Sequence, residues 1–450
     1  MLGNKKILGL CVTKIHDRTR GDLINRINMA AVAAGFKIVC FNSYEDFFRK
    51  DSYGCGARNV YDRIDYEILD GMVIFSQHFY DRQIVEDIAK KCREKGIPVV
   101  LINGKLEGTS SICNDAKPAF LELLRHLFSV HHIQNPFFIA GNKERDPDSE
   151  LRIACFKQVL AENEMPFRED RLDYGEYWDE PAMRIVERLE KAGELPDAFI
   201  CANDTMAFGV MRKLKELGYR IPEDVIVTGF DGITAVDFYF PRLTTCRENP
   251  ELMAKKCIEM FRLYFSGHKD IVEERIPYQV DFSESCGCGK VELPERNEAA
   301  ARLYRYLEER ESHEDYVTSQ VDHMMGLETV QDLYEPLSRF IIQNSWFCLD
   351  GEFIRHMSLT AGELEENDEV IQSMLVPSVF DVPNEIKEVA SGQNLPEIQK
   401  WLDDNTCYIF TSIYSKDIYC GYYVVRTNWI NSVNYKLKRL PDYPIWFLMR

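Results

Sequence analysis

The segment Pro196–Thr245 places strong limits on the fold of this chain, because it reads as a strand, a helix and a second strand in direct succession. An apolar run of strand length, Phe199–Ala202, opens the unit, and a stretch with apolar residues at helical spacing follows it. The β-branched run Val225–Gly229 predicts the second strand. Ligands of open parallel sheets bind beyond the carboxyl ends of the strands, so Asp204 and Asp231 are predicted to face one crevice.

The same alternation runs through most of the chain before residue 285 and predicts parallel sheets with helices on both faces. The predicted strands are Ile7–Thr13, Lys37–Phe41, Gly71–Phe75, Pro98–Asn103, Phe137–Ala140, Arg171–Tyr174, Phe199–Ala202 and Val225–Gly229. The predicted helices are Asp22–Ala34, Arg58–Ile68, Gln83–Lys95, Ala116–Val130, Glu150–Glu162, Pro181–Lys191 and Thr205–Leu217.

Two motifs in this region carry a family resemblance. Phe-Ile-Cys-Ala-Asn-Asp-Thr-Met-Ala-Phe-Gly-Val at 199–210 and Gly-Tyr-Arg-Ile-Pro-Glu-Asp-Val-Ile-Val-Thr-Gly-Phe-Asp-Gly at 218–232 resemble the core of the LacI/GalR ligand-sensing domain. The resemblance covers residues 1–285 and implies a two-lobed, periplasmic-binding-protein-like α/β fold. It implies a first lobe from residues 1–113 and 245–268 and a second from residues 114–240 and 270–285. A helix over Pro250–Phe265 would return to the first lobe and a strand near Ile276–Phe282 to the second, with the sensor pocket between the lobes.

The resemblance also implies the residues that bind the ligand. Asp231 corresponds to a carboxylate that accepts ligand hydroxyl or amine donors. Arg152 matches the arginine of a Ser-x-x-Arg-x-x-Gly-Phe pattern, here with Cys155 in place of the glycine, and its guanidinium offers a rigid fork of donors. Asn203 and Asp204 match a polar pair at the next strand end, although Asp204 can equally serve only as a helix N-cap.

Further contacts are expected around these residues. Trp178 or its neighbour Tyr177 could offer an apolar face to a ring, or Trp178 could be an exposed aromatic at a helix start. Residues at strand ends of the first lobe are expected to close over the ligand, namely Thr13, His16, Gln77 and Asn103, although His16 is also readily explained as an ordinary loop residue. Such a set suits a polyhydroxylated or heteroaromatic small molecule.

Beyond residue 285 the alternation ends. Residues 286–330 are predicted to form a helical connector, since Glu295–Met325 is highly charged and carries apolar residues at three- and four-residue steps. Residues 331–450 are predicted to form a small α+β module that is similar in pattern to GAF/PAS sensory domains. Its predicted strands are Trp346–Leu349 and a hairpin of Cys407–Ile413 and Ile418–Arg426.

Composition argues against several classes of partner. A net charge of −19 opposes a broad contact with nucleic acid or an anionic membrane. The sequence shows neither a signal peptide nor a run of transmembrane length, and the 14 scattered cysteines are typical of reduced cytosolic thiols. Cys286-Gly-Cys288 would need two further ligands to bind a metal, and no Cys-x-x-Cys or His-x₃-His partner is apparent, so neither a metal nor another cofactor is predicted.

Two hypotheses of function follow. The first is a cytosolic, homodimeric small-molecule sensor in which lobe closure is passed through the connector to an output domain or partner protein. Chains of this shape resemble the front halves of signalling proteins that end in a diguanylate cyclase or a DNA-binding domain. The alternative is a LacI-family transcription regulator that binds DNA directly or through a partner. We expect no room for a DNA-binding headpiece before Ile7, and together with the charge this disfavours direct DNA binding.

An enzyme is not predicted, and no catalytic residues are assigned. The sequence lacks Gly-x-Ser-x-Gly, Walker A and His-Glu-x-x-His motifs, and no Gly-x-Gly-x-x-Gly follows the first strand. The weakest hypothesis is a crevice hydrolase that uses Asp204 and Asp231 as a carboxylate pair.

Overall fold

The computed structural model describes residues 5–15, 17–43, 46–47, 52–62, 64–144 and 146–289, together with 295–298, 300–301, 303–304 and five strands between residues 345 and 427. The chain divides into two compact units. The first unit comprises Met1–Cys113, Pro250–Glu274 and Glu311–Arg450, and the second comprises Asn114–Asn249 and Arg275–Arg310.

Seventeen strands and eight α-helices are described within these ranges. Strands β1 to β17 are Ile7–Thr13, Lys37–Ser43, Gly71–Phe75, Val99–Ile102, Ser110–Asp115, Pro136–Ala140, Leu172–Tyr174, Ala198–Cys201, Ile226–Thr228, Thr245–Arg247, Glu273–Pro277, Gln279–Asp281, Ser345–Leu349, Val370–Val376, Glu385–Ala390, Cys407–Ser415 and Ile418–Thr427. Helices α1 to α8 are Arg18–Ala33, Ser52–Asp62, Arg82–Glu94, Ala116–Ser129, Pro147–Glu162, Asp179–Ala192, Asp204–Glu216 and Pro250–Phe265.

The sheet of the first unit has a parallel centre. Strand β1 pairs in parallel with β2 and β3, and β3, β4 and β5 continue the parallel order. The residues of β2 and β3 are all buried, as expected for strands covered by helices on both faces. Helix α8 lies in this unit, and α1 packs against it.

The strands near the carboxyl end of the chain extend this same sheet. Strand β16 pairs in parallel with β2, from Tyr408 opposite Val39 to Thr411 opposite Asn42. Strands β17, β13, β14 and β15 follow in that order and pair antiparallel. The predicted strand at Trp346–Leu349 and the predicted hairpin are confirmed, but their connection to β2 was not foreseen. The GAF/PAS resemblance stays a prediction, and the connector falls largely outside the described residues.

The second unit contains a separate parallel sheet with the order β7-β6-β8-β9. Strands β6 and β8 are short apolar runs in which all residues are buried. A core of aromatic residues lies behind them, with ring contacts that join Phe120 to Phe138 and Phe230, and Phe138 to Phe156. An antiparallel pair, β10 and β12, joins the two segments of this unit. The predicted two-lobed α/β fold with parallel sheets is confirmed.

Several elements differ from the prediction: strands β10, β14 and β15 were not predicted, the strand expected near Ile276–Phe282 is divided into β11 and β12, and α2 and β5 differ for identifiable reasons. The second helix spans Ser52–Asp62 and not Arg58–Ile68. The apolar residues after residue 62 have the spacing of a helix but do not form one. Ile64 and Leu69 lie in an irregular segment and are buried against the core of the first unit. Strand β5 was missed because its sequence, Ser-Ser-Ile-Cys-Asn-Asp, is mostly polar. Among the described residues, no helix combines the length and apolar character that a membrane span requires.

Candidate functional site

The site in the second unit is built at the carboxyl ends of β8 and β9, where helix α7 begins. Asn203 is the N-cap of α7, and its side-chain oxygen accepts a hydrogen bond of 2.9 Å from the N–H of Met206. Its amide nitrogen donates to the carbonyl of Tyr177 at 3.2 Å. The N-cap is therefore Asn203, and the alternative that Asp204 fills this position is wrong.

Asp204 is fully buried and holds the loop that follows β9. One carboxylate oxygen accepts from the Thr245 hydroxyl at 2.6 Å and the other from the N–H of Ile233 at 2.8 Å. Gly229 leaves room for this carboxylate, because a Cβ at that position would lie 2.3 Å from Asp204 Oδ1. Burial raises the pKa of Asp204 to about 7. These contacts position the loop that carries Asp231, while direct ligand contact by Asp204 stays a prediction.

Asp231 lies on this loop in a conformation that is uncommon for residues other than glycine, with φ of 104°. Its backbone N–H donates to the carbonyl of Cys246 at 3.0 Å, which fixes the residue beside β10. The side chain is partly exposed. Burial raises the pKa of the Asp231 carboxyl to about 7, with Arg152 opposing the rise and Asp204 and Glu248 adding to it.

Arg152 lies on α5 and is only 6% exposed. Its guanidinium carbon sits 4.2 Å from the centroid of the Phe230 ring. Its Nε is buried without a hydrogen-bond partner, and Arg152 makes no salt bridge with any carboxylate in the described part of the chain. A buried donor without a partner is costly to stability.

Two aromatic rings and a carboxyl group lie next to Arg152 and Asp231 in the second unit. The rings of Phe230 and Tyr278 lie 4.8 Å apart, and the Tyr278 hydroxyl donates to Glu248 at 3.2 Å. Burial raises the pKa of both Glu248 and Tyr278. Sequence analysis missed Glu248 and Tyr278 because neither belongs to the family pattern, and only the pairing of β10 with β12 brings their segments together.

The two aromatic candidates before α6 differ in their surroundings. Trp178 is 66% exposed and directly precedes α6, in agreement with its alternative interpretation as an exposed aromatic at a helix start. Tyr177 is half-buried and packs against the core of the second unit. Gly141 makes room for its ring, since a Cβ there would lie 2.1 Å from Tyr177 Cζ. Of the two, Tyr177 is held in a defined position.

The first unit holds Thr13 in a charged cluster of its own. The buried Thr13 hydroxyl donates to Asp46 at 2.5 Å and accepts from Arg20 at 2.9 Å. Asp46 also pairs with Arg20 at 2.7 Å and with Lys14 at 2.9 Å. Burial raises the pKa of Asp46, but hydrogen bonds from Arg20, Thr13 and Lys14 outweigh this effect and the pKa lies below its ordinary value. The one donor of the Thr13 hydroxyl and one of its two acceptor positions are thus already used within this cluster.

The remaining candidates of the first unit are Gln77 and Asn103. Gln77 is exposed, with its amide nitrogen 3.0 Å from a ring nitrogen of His78. Asn103 follows β4 with φ of 50° and donates its backbone N–H to Ile112. His16 lies outside the described residues. The ligand-binding roles of Thr13, Gln77 and Asn103 stay predictions.

Residues that could complete a metal site with Cys286 and Cys288 were not recognised in the sequence. The structure brings His126 and His131 to the two cysteines, and the four potential ligand atoms all lie within 4.8 Å of one another. The signal was present as two pairs, Cys-x-Cys and His-x₄-His, but they stand more than 150 residues apart in the sequence.

Part of the chain is similar to a known protein family. Residues 124–286 match the family model of the periplasmic binding protein-like domain. The matched region holds Arg152, Asp204 and Asp231.

The curated relatives are regulators of transcription. The chain is similar to the HTH-type transcriptional repressor PurR of Vibrio parahaemolyticus, with 32% identity over 128 residues that cover 28% of this chain and 38% of the relative. It is also similar to the probable HTH-type transcriptional repressor ExuR of Bacillus subtilis, with 30% identity over 209 residues, or 45% and 61% of the two chains. The chain thus spans less than two thirds of the length of either relative. Among solved structures, the Escherichia coli transcriptional repressor ascG aligns with 62% of this chain and 99% of its own at 22% identity and a TM-score of 0.49.

Proposed function

We propose that this chain is an effector-dependent regulator of transcription whose second unit binds a small molecule through Arg152 and Asp231. The observation that carries the proposal is the buried guanidinium of Arg152, which has an Nε without a partner and lies over Phe230. A guanidinium held in this way is complementary to an oxygen acceptor or anion on a ligand. The relatives support an output in transcription more than an output in another signalling reaction.

The chemistry of the site limits the class of effector. Arg152 requires a hydrogen-bond acceptor, and an ionised Asp231 requires a hydroxyl or amine donor. Phe230 and Tyr278 add aromatic surface on one side. A compact polyhydroxylated or heteroaromatic molecule with adjacent donor and acceptor groups meets these requirements.

The proposal also covers how the chain acts on transcription and in which oligomeric state it does so. Regulation can proceed by direct contact with DNA or through a partner protein, and the net charge of −19 favours a partner or a localised contact. Homodimerisation is proposed as the state in which the chain acts. A cyclase output and a GAF/PAS-like module draw no support from the relatives.

The surroundings of Asp204 argue against the hypothesis of a hydrolase that uses Asp204 and Asp231 as a carboxylate pair. Asp204 is fully buried and both of its oxygens accept from protein donors, so it has no free position from which to act on a substrate beside Asp231. No other pair of carboxylates was predicted for catalysis. A binding role is the better explanation of Asp231.

A calorimetric and thermal-shift screen tests the binding proposal. Sugars, sugar acids, nucleobases and nucleosides are titrated into the full chain, and a ligand at about 100 times its dissociation constant should add about 2.7 kcal/mol of stability.

Arg152→Met and Asp231→Asn should each weaken binding at least about tenfold, as expected when a charged hydrogen bond is lost. Affinity should rise as pH increases through about 7, because the Asp231 carboxyl then ionises, and Asp231→Asn should remove this dependence.

A matched control uses Arg125→Met, since Arg125 is half-exposed and pairs with Glu162 on the surface. It should leave binding unchanged. A ligand bound equally by the wild type and both site variants would contradict the proposed site. The output is tested separately with DNA fragments in a gel shift, with and without the ligand and any co-purified partner.

A further inference from the structure

A second cluster of side chains lies in the second unit, apart from the candidate effector site. His126 lies near the end of α4, His131 follows that helix, and Cys286 and Cys288 lie just after β12. Cys288 Sγ is 3.0 Å from His126 Nε2 and 3.1 Å from His131 Nε2, and the two Nε2 atoms are 3.2 Å apart. The Cys286 sulfur completes the set of four.

Conventional hydrogen bonds can account for at most two of these three contacts at once. A neutral imidazole nitrogen either carries a proton or offers one lone pair, but never both. If one of the two Nε2 atoms donates to the other, the second has used its lone pair, and the Cys288 thiol has no acceptor nitrogen left. At least one of the three contacts at 3.0–3.2 Å therefore joins two polar atoms without a hydrogen bond, which is the arrangement expected of ligand atoms grouped around one ion.

A metal ion bound between the four side chains would account for all of these close contacts. Zinc binds Cys sulfur at about 2.3 Å and His nitrogen at about 2.0–2.1 Å in a tetrahedron, which places neighbouring ligand atoms about 3.3–3.8 Å apart. The observed separations are a few tenths of an ångström shorter, so a slight outward movement of the side chains would admit the ion. Two thiolates and two neutral imidazoles would also balance the charge of a divalent cation.

The local backbone is shaped to present both sulfurs. A short 3₁₀ turn over Glu284–Cys286 ends at Gly287, whose φ of 94° favours glycine. The N–H groups of Gly287 and Cys288 donate to Glu284 and Ser283, which closes the turn between the two cysteines. Cys286 is buried and Cys288 is exposed, so the ion would be partly enclosed and still have a route of entry.

The two histidines of the cluster are also held in place by ring contacts. The His126 ring packs on Phe282 with centroids 3.9 Å apart, and the His126 and His131 rings contact edge to face. This packing holds the two imidazoles where their Nε2 atoms converge.

We infer that His126, His131, Cys286 and Cys288 form a structural zinc site of the Cys₂His₂ type. The four ligands join the end of α4 to the segment that follows β12, which are separated by some 155 residues of chain. Soft thiolate and imidazole ligands with four protein donors are typical of a closed, structural zinc site and leave no coordination position for chemistry. The zinc closes a long loop of the second unit, so its removal lowers the stability of that unit.

Metal analysis of the full chain tests this site. The protein is purified under reducing conditions, incubated with zinc, desalted and measured by inductively coupled plasma mass spectrometry. We expect one zinc per chain, and loss of most of it in Cys288→Ser and in His131→Gln. Cobalt in place of zinc should give the visible absorption of a tetrahedral ion and a thiolate-to-cobalt charge-transfer band that weakens in Cys288→Ser. A chelator should lower the thermal unfolding midpoint of the wild type but not of the double variant that combines Cys288→Ser with His131→Gln.

Matched controls separate the site from a general effect of substitution. Cys113→Ser and His132→Gln remove the same residue types outside the cluster and should retain one zinc, and circular dichroism checks that every variant is folded. A wild-type chain that carries no zinc although all thiols are reduced would overturn the inference, and so would zinc that persists in the double variant. Detection of a Cys286–Cys288 disulfide by peptide mass spectrometry in the purified protein would overturn it as well.

Discussion

Arg152 bears the energetic cost of a buried cation, which the proposed contact with a ligand would offset. Its side chain is 6% exposed and its Nε has no partner, so the folded protein without effector bears an unsatisfied donor. Such a group costs about 1–3 kcal/mol, partly offset by about 0.5–2 kcal/mol from the contact with the Phe230 ring. The residue is therefore better explained by binding than by stability.

Replacement of Arg152 by methionine should separate these two properties. We expect Arg152→Met to retain or slightly exceed the wild-type free energy of unfolding in urea, while effector binding is lost. The methionine fills the same volume over Phe230 without a charge. A loss of more than about 2 kcal/mol in the variant would show that Arg152 has a structural role instead.

Family motifs made some of these residues predictable from the sequence. Arg152 and Asp231 were identified from the residues around them, since each lies in a compact local pattern. Glu248 and Tyr278 could not be identified in this way, because their place beside Phe230 depends on how β10 and β12 pair. Local patterns predict what a strand end carries, but not which distant segment packs against it.

Helix α7 and the loop after β9 are joined by one buried carboxylate, Asp204. The pKa of this group is about 7 in the folded chain and about 3.9 in an unfolded one, so between these values the folded state holds a proton that the unfolded state has released. Raising the pH through this window favours the unfolded state. The stability contributed by Asp204 is complete below pH 4 and is lost as the pH rises to about 7.

Asp204→Asn should flatten this pH dependence. The asparagine can still accept from the N–H of Ile233, but it does not ionise. Relative to the wild type, the variant should gain stability between pH 5 and pH 7, by at most about 1.4 kcal/mol per pH unit, measured by urea unfolding at several pH values. Asp224→Asn is the control, because hydrogen bonds with Arg220 lower the pKa of Asp224 to about 2, below this window. Parallel curves for Asp204→Asn and the wild type would contradict the prediction.

Elements with a continuous apolar pattern were predicted well, and those without one were not. The predicted bounds of β1 and β3 match the structure because each is a clear apolar run, and the bounds of α8, which the family resemblance implied, match as well. Strand β5 has little apolar character, and α2 was displaced by apolar residues that are buried without being helical. The four residues of the Cys/His cluster were present as recognisable pairs, but only the fold shows that they meet.

The two units each include segments that are far apart in the sequence. In the first unit, β16 supplies the neighbour of β2, and Ile409 on β16 is fully buried opposite Cys40. The sheet of this unit therefore depends on residues beyond 400.

Ile409→Ala tests this dependence. Truncation of a fully buried isoleucine costs about 2–5 kcal/mol, so local opening of β16 should become easier. Hydrogen exchange should quicken in the β2 amides that face β16 as well as in β16 itself, while β6 and β8 of the second unit keep their protection. Ile409→Val should produce a much smaller change. Unaltered exchange in β2 of the alanine variant would contradict the pairing of β2 with β16.

The pairing of β2 with β16 also has a consequence during synthesis. About 360 residues separate the two strands, so at roughly 5–20 residues per second the ribosome needs roughly 20–70 s to deliver the partner of β2. Over that interval the outer edge of β2 presents unpaired N–H and C=O groups, which are a template for association with other nascent chains. The growing polypeptide therefore carries this open strand edge through most of its synthesis, and this edge is where a ribosome-associated chaperone would protect it.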